Sequence, residues 1–283
     1  MRVLACIDRS RHATSVCDHA LWSAQRLHAS VELLHVIERL PEVAPSTDRS
    51  GRLGVDSGES LLRELASIDE QRNRLAHQSG HLLLDDAANR LRSHGLEEIT
   101  QRLVQGELVD HVRDHEREAA LVVVGKHGEA ANRATAHLGR NLERVIRASY
   151  RPVMIAAESY RPIRRFLFAY DGGKSAAAAI GFLIETGLLN GLEGHILLVG
   201  QPSDAEQTHL ADATWRLRAA GLSITDSVRS GEPSRVVVDA VDSEGADLLV
   251  MGAYGHSRIR TAIIGSTTTE LIQASPASML VCR

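Results

Sequence analysis

Short apolar runs recur along the chain, and between them lie longer segments whose apolar positions follow a helical spacing. ATSVCDHALWSAQRL (Ala13–Leu27) reads as a helix, and so does SRVVVDAVDSEG (Ser234–Gly245). TTTELIQAS (Thr267–Ser275) opens on good N-cap residues and is apolar on one face. Leu40–Glu59, rich in Pro, Ser, Asp and Gly, reads as a loop, followed by a long helical pattern to about Ser93. Regular alternation of strand and helix predicts an α/β fold with a parallel, doubly wound sheet and right-handed crossovers. Ligands of such sheets bind beyond the carboxyl ends of the strands, where the strand order reverses. Asp8, Asp171, Gly125 and Gly252 fall at predicted strand ends of this kind.

The pattern occurs twice. RVLACID, ending at Asp8, matches FLFAYD, ending at Asp171; VELLHVIE (Val31–Glu38) matches HILLVGQ (His195–Gln201). LVQGELV (Leu103–Val109) matches VRSGEPS (Val228–Ser234), and LVVVGKHG (Leu121–Gly128) matches LLVMGAYG (Leu248–Gly255). RPVMIAA (Arg151–Ala157) matches ASMLVCR (Ala277–Arg283). The matches keep one order in both halves, so the chain divides into domains at 1–158 and 162–283, joined near Glu158–Pro162. The second copy is the shorter one, and the contraction falls between Gly200 and Val228.

Composition narrows the functional classes. With 283 residues, 43% of them hydrophobic and 24% charged, each half can bury a real core, which argues against disorder. Aromatics are only 3%, so the cores rest on Leu, Val, Ile and Ala, as in helix-covered parallel sheets. A formal net charge of -4 and the lack of a basic stripe with interleaved aromatics argue against a nucleic-acid partner. Three cysteines suit a reducing compartment better than a disulfide framework. With no signal-peptide pattern in MRVLACID and no long apolar run, the expectation is a cytoplasmic protein without membrane contact.

The sharpest chemistry lies in the second copy. Gly252-Ala-Tyr-Gly255 follows a strand, nine residues intervene, and Gly265-Ser266-Thr267 opens a helix. Glycine lets the backbone approach a ligand closely, and unpaired N–H groups at a helix start attract an anion. The hydroxyls of Ser266 and Thr267 can donate to phosphate oxygens. Spacing alone leaves open that the glycines serve only as turns and Ser266 only as an N-cap. His111 and His115 stand four apart in HVRDH, but the Glu of the zinc-protease motif is missing, so a metal pair is not expected. There is no Walker Gly-x4-Gly-Lys and no evident Ser-His-Asp set.

Gly-x2-Gly-x9-Gly-Ser between a strand and a helix resembles the ATP-binding signature of the universal stress protein family. Asp171 at the end of the first strand, ILLVG in the second and SMLVCR at the close agree with it. The resemblance covers nearly the whole chain, as two consecutive Rossmann-like domains of the adenine nucleotide alpha-hydrolase type. It implies an ATP site in the second copy. Ala169 and Asp171 belong to it, with Asp171 meeting the ribose or the metal–phosphate region. Val199 and Gly200 would flank the adenine, and Met251 and Gly252 would line the nucleoside. Gly255, Gly265, Ser266 and Thr267 would hold the phosphates, with Tyr254 on the loop between them. The corresponding first-copy residues are Asp8, Val36, Gly125, Gly128 and Gly139. That copy departs from the pattern: ten residues separate Gly128 from Gly139, and Arg140-Asn141 replaces Ser-Thr, so a weakened or altered site is expected.

The resemblance further implies a regulatory role in stress resistance, with ATP, and Mg²⁺ on its phosphates, as the cofactor and no metal ligands from the protein. Binding would order the loop Ala253–Ile264. Hydrolysis would be slow at most, since no positioned base or charge-stabilising finger is evident. An alternative is a scaffold whose pockets are vestigial or hold another ligand. The copies are expected to form a pseudo-dimer through Val153–Ala157 and Met279–Cys282, with a homodimer and an unidentified regulatory protein as further partners.

Overall fold

β-Strands rich in Val, Leu and Ala assemble a single ten-stranded sheet from both copies. The computed structural model describes residues 1–38, 55–128, 140–253 and 265–283, and side chains for all of these except 55–62 and 140. The first copy runs β1 (Arg2–Cys6), α1 (Ala13–Leu27), β2 (Ser30–Ile37), α2 (Val55–Ser93), β3 (Ile99–Gln105), α3 (Leu108–His115), β4 (Ala119–Gly125), α4 (Arg140–Ala148) and β5 (Val153–Ala156). A 3-10 turn, Glu116–Glu118, precedes β4. The second repeats the order: β6 (Arg165–Tyr170), α5 (Lys174–Thr186), β7 (Glu193–Val199), α6 (Asp204–Ala219), β8 (Ser223–Arg229), α7 (Pro233–Ser243), β9 (Leu248–Gly252), α8 (Ser266–Ala274) and β10 (Ser278–Cys282).

The strand order is β3-β2-β1-β4-β5-β10-β9-β6-β7-β8. All neighbours pair in parallel except β5 and β10, which run antiparallel with Met279 opposite Ile155, Leu280 opposite Met154 and Val281 opposite Val153. In each copy the chain leaves the first strand to one side and returns on the other. The order therefore reverses between β1 and β4, and between β6 and β9, which opens a crevice at their carboxyl ends.

Strands next to the junction are buried on both faces, which is why β4, β5, β9 and β10 read as nearly unbroken apolar runs. β1 sends Val3 and Ala5 to one face and Leu4 and Cys6 to the other. The apolar cluster on each face runs through both copies: Val3, Met154, Leu280 and Phe168 share one, and Leu4, Ile155, Met279 and Leu249 the other. The edge strands β3 and β8 alternate with exposed residues instead.

Two sequence boundaries shift. α7 begins at Pro233, whose missing N–H costs nothing in a first turn, and α8 begins one residue earlier than read, at Ser266. The loop expected over Leu40–Glu59 ends sooner, because α2 already begins at Val55. Asp, Ser and Gly serve a helix start as well as a loop, so composition does not separate the two. Residues 39–54 lie outside the described residues, as do 129–139 and 254–264. The contraction of the second copy is visible as a 39-residue α2 against a 16-residue α6.

Candidate functional site

In the second copy, β6, β7 and β9 end on the same side of the sheet and deliver Asp171, Gly200 and Gly252 there. Ala169 stands opposite Met251 in the β6–β9 ladder. Ala169, Val199 and Met251 pack into the same apolar cluster and line one face below the crevice. Asp171 Oδ1 accepts from the Gly173 N–H at 2.8 Å, which turns the chain from β6 into α5. Gly200 holds φ at +134°, with open space where a side chain would stand, and its N–H donates to the Arg229 carbonyl at 2.9 Å.

Gly252 is required by packing. A Cβ there would lie 2.7 Å from Ser175 Cβ and 3.1 Å from the Ala176 nitrogen, so only glycine lets α5 start against β9. Gly265 is different. It N-caps α8 with φ −55°, and among the described residues a Cβ would meet Thr268 Oγ1 at an ordinary 3.6 Å. Neither strain nor crowding among the described residues demands glycine at that position. Its N-cap also offers no side-chain acceptor to the first turn of α8, where Ser266 is exposed and Thr267 half-buried. Such a helix start carries roughly half a positive charge. Thr268, buried and not singled out by the sequence reading, donates its hydroxyl to the Ala253 carbonyl at 3.2 Å and ties this turn to the end of β9. Its signal in the sequence was its place in the middle of three consecutive threonines, which spacing alone could not separate from its neighbours.

The structure thus gathers Ala169, Asp171, Val199, Gly200, Met251, Gly252, Gly265, Ser266 and Thr267 around the carboxyl ends of β6, β7 and β9 and the start of α8. Tyr254 and Gly255, with the loop expected to order on binding, lie outside the described residues, and so does Gly139 of the first copy.

The first copy repeats the frame with other contents. Asp8 Oδ1 accepts from the Ser10 N–H at 3.0 Å, and a Cβ on Gly128 would lie 3.1 Å from Asp8 Oδ2. Val36, next to last in β2, packs on the same face as its counterpart Val199. Gly125 is pressed against His12, with a virtual Cβ 2.8 Å from His12 Cβ. His12 is 1% exposed, its Nδ1 finds no partner, and its ring meets His127 edge-on at 5.6 Å. Burial, with His127 and Arg11 nearby, holds the His12 imidazole below its usual range. Asn141, in the first turn of α4, donates to Glu38 Oε1 at 2.6 Å, which places a carboxylate at that helix start.

Lys126 turns away from the first pocket altogether. Its Nζ donates to the Gln273 carbonyl at 3.1 Å and the Ser275 carbonyl at 2.9 Å, at the far end of α8. Burial lowers its pKa.

The two histidines of α3 part company. His111 Nε2 lies 3.2 Å from the Gln105 carbonyl, while His115 Nδ1 lies 3.0 Å from Glu32 Oε1. Glu32 is fully buried in β2 and also receives Arg2 and Arg102. Among the described residues no group of three or more His, Cys, Asp or Glu is placed to hold a metal. The three cysteines are buried and free, and burial pushes their thiols up to about 12. No helix among the described residues is long and apolar enough to cross a membrane.

Comparison with known proteins agrees with this geometry. The model of the universal stress protein family matches the chain twice, over residues 1–157 and 162–283. Universal stress protein Slr1230 of Synechocystis sp. is 33% identical over 284 residues, covering 99% of each chain. Among solved structures, a universal stress protein from Archaeoglobus fulgidus superposes with a TM-score of 0.72 at 22% identity, covering 100% of this chain and 98% of that one. One from Pseudomonas aeruginosa gives 0.60 at 15% identity, covering 99% and 92%; at these identities the likeness concerns the fold. Two matches of one family along one sheet lead to a plain conclusion: the chain belongs to the universal stress protein family.

Proposed function

We propose that the second copy binds ATP at the carboxyl ends of β6, β7 and β9, with its phosphates on the first turn of α8, and that occupancy serves a regulatory role in stress resistance. The observation that carries this reading is Gly265. Its own backbone and the described residues around it tolerate a side chain there, so a ligand approaching the amides of Ser266 and Thr267 is what the missing side chain admits. The residues fit the group: Asp171 faces the ribose side, Val199 and Met251 supply an apolar wall for the base, and Gly200 leaves its edge open. Mg²⁺ enters with the triphosphate. Nothing among the described residues positions a base for hydrolysis, so binding rather than turnover is the expected output.

The first copy reads as altered. The Glu38 carboxylate at the start of α4 sits where the phosphates would lie in the second copy and repels them. Buried His12, edge-on to half-buried His127, further narrows that pocket. This reading goes with an internal pseudo-dimer in which one copy binds and the other supports.

Titration calorimetry of nucleotide-stripped protein with ATP and Mg²⁺ tests both parts. One site per chain is expected. Gly265→Ala should lower affinity at least about tenfold while leaving the melting temperature within a degree or two of the parent, because Cβ meets no clash among the described residues. Two sites per chain would overturn the altered first pocket. No binding by folded protein, or unchanged affinity in Gly265→Ala, would overturn the second.

A further inference from the structure

Helix α2 carries two apolar stripes on different faces. From Gly80 onward one stripe is buried: Gly80, Leu84, Ala87, Ala88 and Leu91 face the sheet. A Cβ on Gly80 would lie 2.7 Å from Leu103 Cδ1 and 3.1 Å from His35 Cδ2, so the helix is seated on β2 and β3 there. The second stripe faces solvent. Leu65 is 49% exposed, Ile68 39%, Leu75 64% and Leu82 65%. At 3.6 residues per turn this stripe lies roughly 150° around the helix from the buried one, out of reach of the sheet.

The spacing of the exposed stripe is that of a coiled-coil seam. Ile68, Leu75 and Leu82 recur every seventh residue at d, and Leu65, Arg72 and Ser79 fill a. From Val55 to Ser79 the helix extends about 37 Å beyond its seat. Every residue from Arg63 to Leu75 is exposed. A helix with so little tertiary packing is marginal in water, and an apolar seam of this period is covered by another helix.

The charges select the occupant. Asp69 flanks the seam at e, Glu64 at g, and Arg72 stands in it. Within one chain Arg72 reaches Asp69 at 3.8 Å, and Arg74 reaches Glu70 at 3.3 Å. A parallel pair would stack Arg72 on Arg72 and set Glu64 beside Asp69. An antiparallel pair sets a against d, so Arg72 lies over Ile68 of the other chain, next to that chain's Asp69. That orientation relieves the Arg72–Arg72 stack and gives each Arg72 an acid on the other chain. We propose that α2 pairs antiparallel with α2 of a second copy of this chain through Leu65, Ile68 and Leu75. This pairing is independent of nucleotide binding.

Sedimentation velocity of the full chain over a concentration series tests it. A two-chain species should grow with concentration, and Leu75→Glu should raise the dissociation constant at least about tenfold with the melting transition of the sheet unchanged. Arg72→Leu, which removes the charge from the seam, should tighten the pair. Orientation is read from Leu82→Cys, since the native cysteines are buried: it should resist oxidative cross-linking, because antiparallel pairing keeps the two sites far apart. A chain that stays single at all concentrations would overturn the proposal. So would a dimer indifferent to Leu75→Glu, cross-linked Leu82→Cys, or a seam occupied only by a different protein's helix.

Discussion

Gly125 and Gly252 occupy the same place in the two copies, but the residues pressed against them differ, His12 in one and Ser175 in the other. That difference gives the first copy a titratable group with no room for charge. His12 lies at the N-cap of α1, where the helix dipole disfavours a cation, and its Nδ1 has no acceptor. Burial and the neighbours His127 and Arg11 lower its pKa, against the weaker opposing pull of Glu158 and Asp8. Buried His19 of α1, edge-on to Tyr160 at 4.9 Å, is shifted the same way by burial. A pKa lowered in the folded chain means that the unfolded chain binds the proton first. Stability is therefore full above the free-imidazole value of 6.5 and falls as pH drops through and below it. Urea midpoints measured from pH 7.5 down to 5 should show this decline. His12→Ser, the second copy's solution, should make it shallower and leave the His19 part.

At the scale of elements, α8 joins the two halves of the argument. Its first turn is held to β9 by Thr268 and faces the candidate phosphate position, while its last carbonyls receive Lys126 from the first copy. A cation at a helix C-terminus complements the dipole, and two hydrogen bonds satisfy carbonyls that the helix itself leaves open. The second copy has Ala253 in the place of Lys126, so the clamp is one-sided. Lys126→Met keeps most of the packed stem and removes the donors. It should cost about 1–2 kcal/mol by denaturant unfolding. Lys126→Arg should recover part of that loss, and an unchanged midpoint in Lys126→Met would show that the clamp contributes nothing.

At the scale of the whole molecule, the antiparallel β5–β10 ladder removes two edges at once, since each copy's last strand would otherwise present an open ladder to solvent. Ser278 Oγ accepts from the Ala157 N–H at 3.1 Å, and Arg283 donates to the Arg147 carbonyl at 2.7 Å, extending the seam beyond the ladder. Leu280 and Met154 are opposite each other and fully buried in a cluster drawn from both copies. Leu280→Ala should therefore cost about 2–5 kcal/mol. The loss should lower one common melting transition in calorimetry, not split off a second one. Two separated transitions in the parent chain would show that the shared core does not couple the copies.

The sequence by itself determined the strand–helix alternation, the duplication and the glycine frame, because these are read locally: apolar run length, helical period, and the spacing of glycines along the chain. It placed α1 at its observed ends and brought Asp171, Gly200 and Gly252 to the ends of three strands. Only the tertiary structure decided what depends on contacts between distant residues. That Gly252 is demanded by α5 while Gly265 is not became visible only with the neighbours in place. The same holds for Glu38 reaching Asn141, for His115 pairing with a buried Glu32, and for Lys126 leaving its own pocket. The two stripes of α2 follow one helical period in the sequence, and which of them faces the sheet is settled by the seat of Gly80 against Leu103 and His35. Periodicity assigns a residue to a face, and only packing assigns that face a partner.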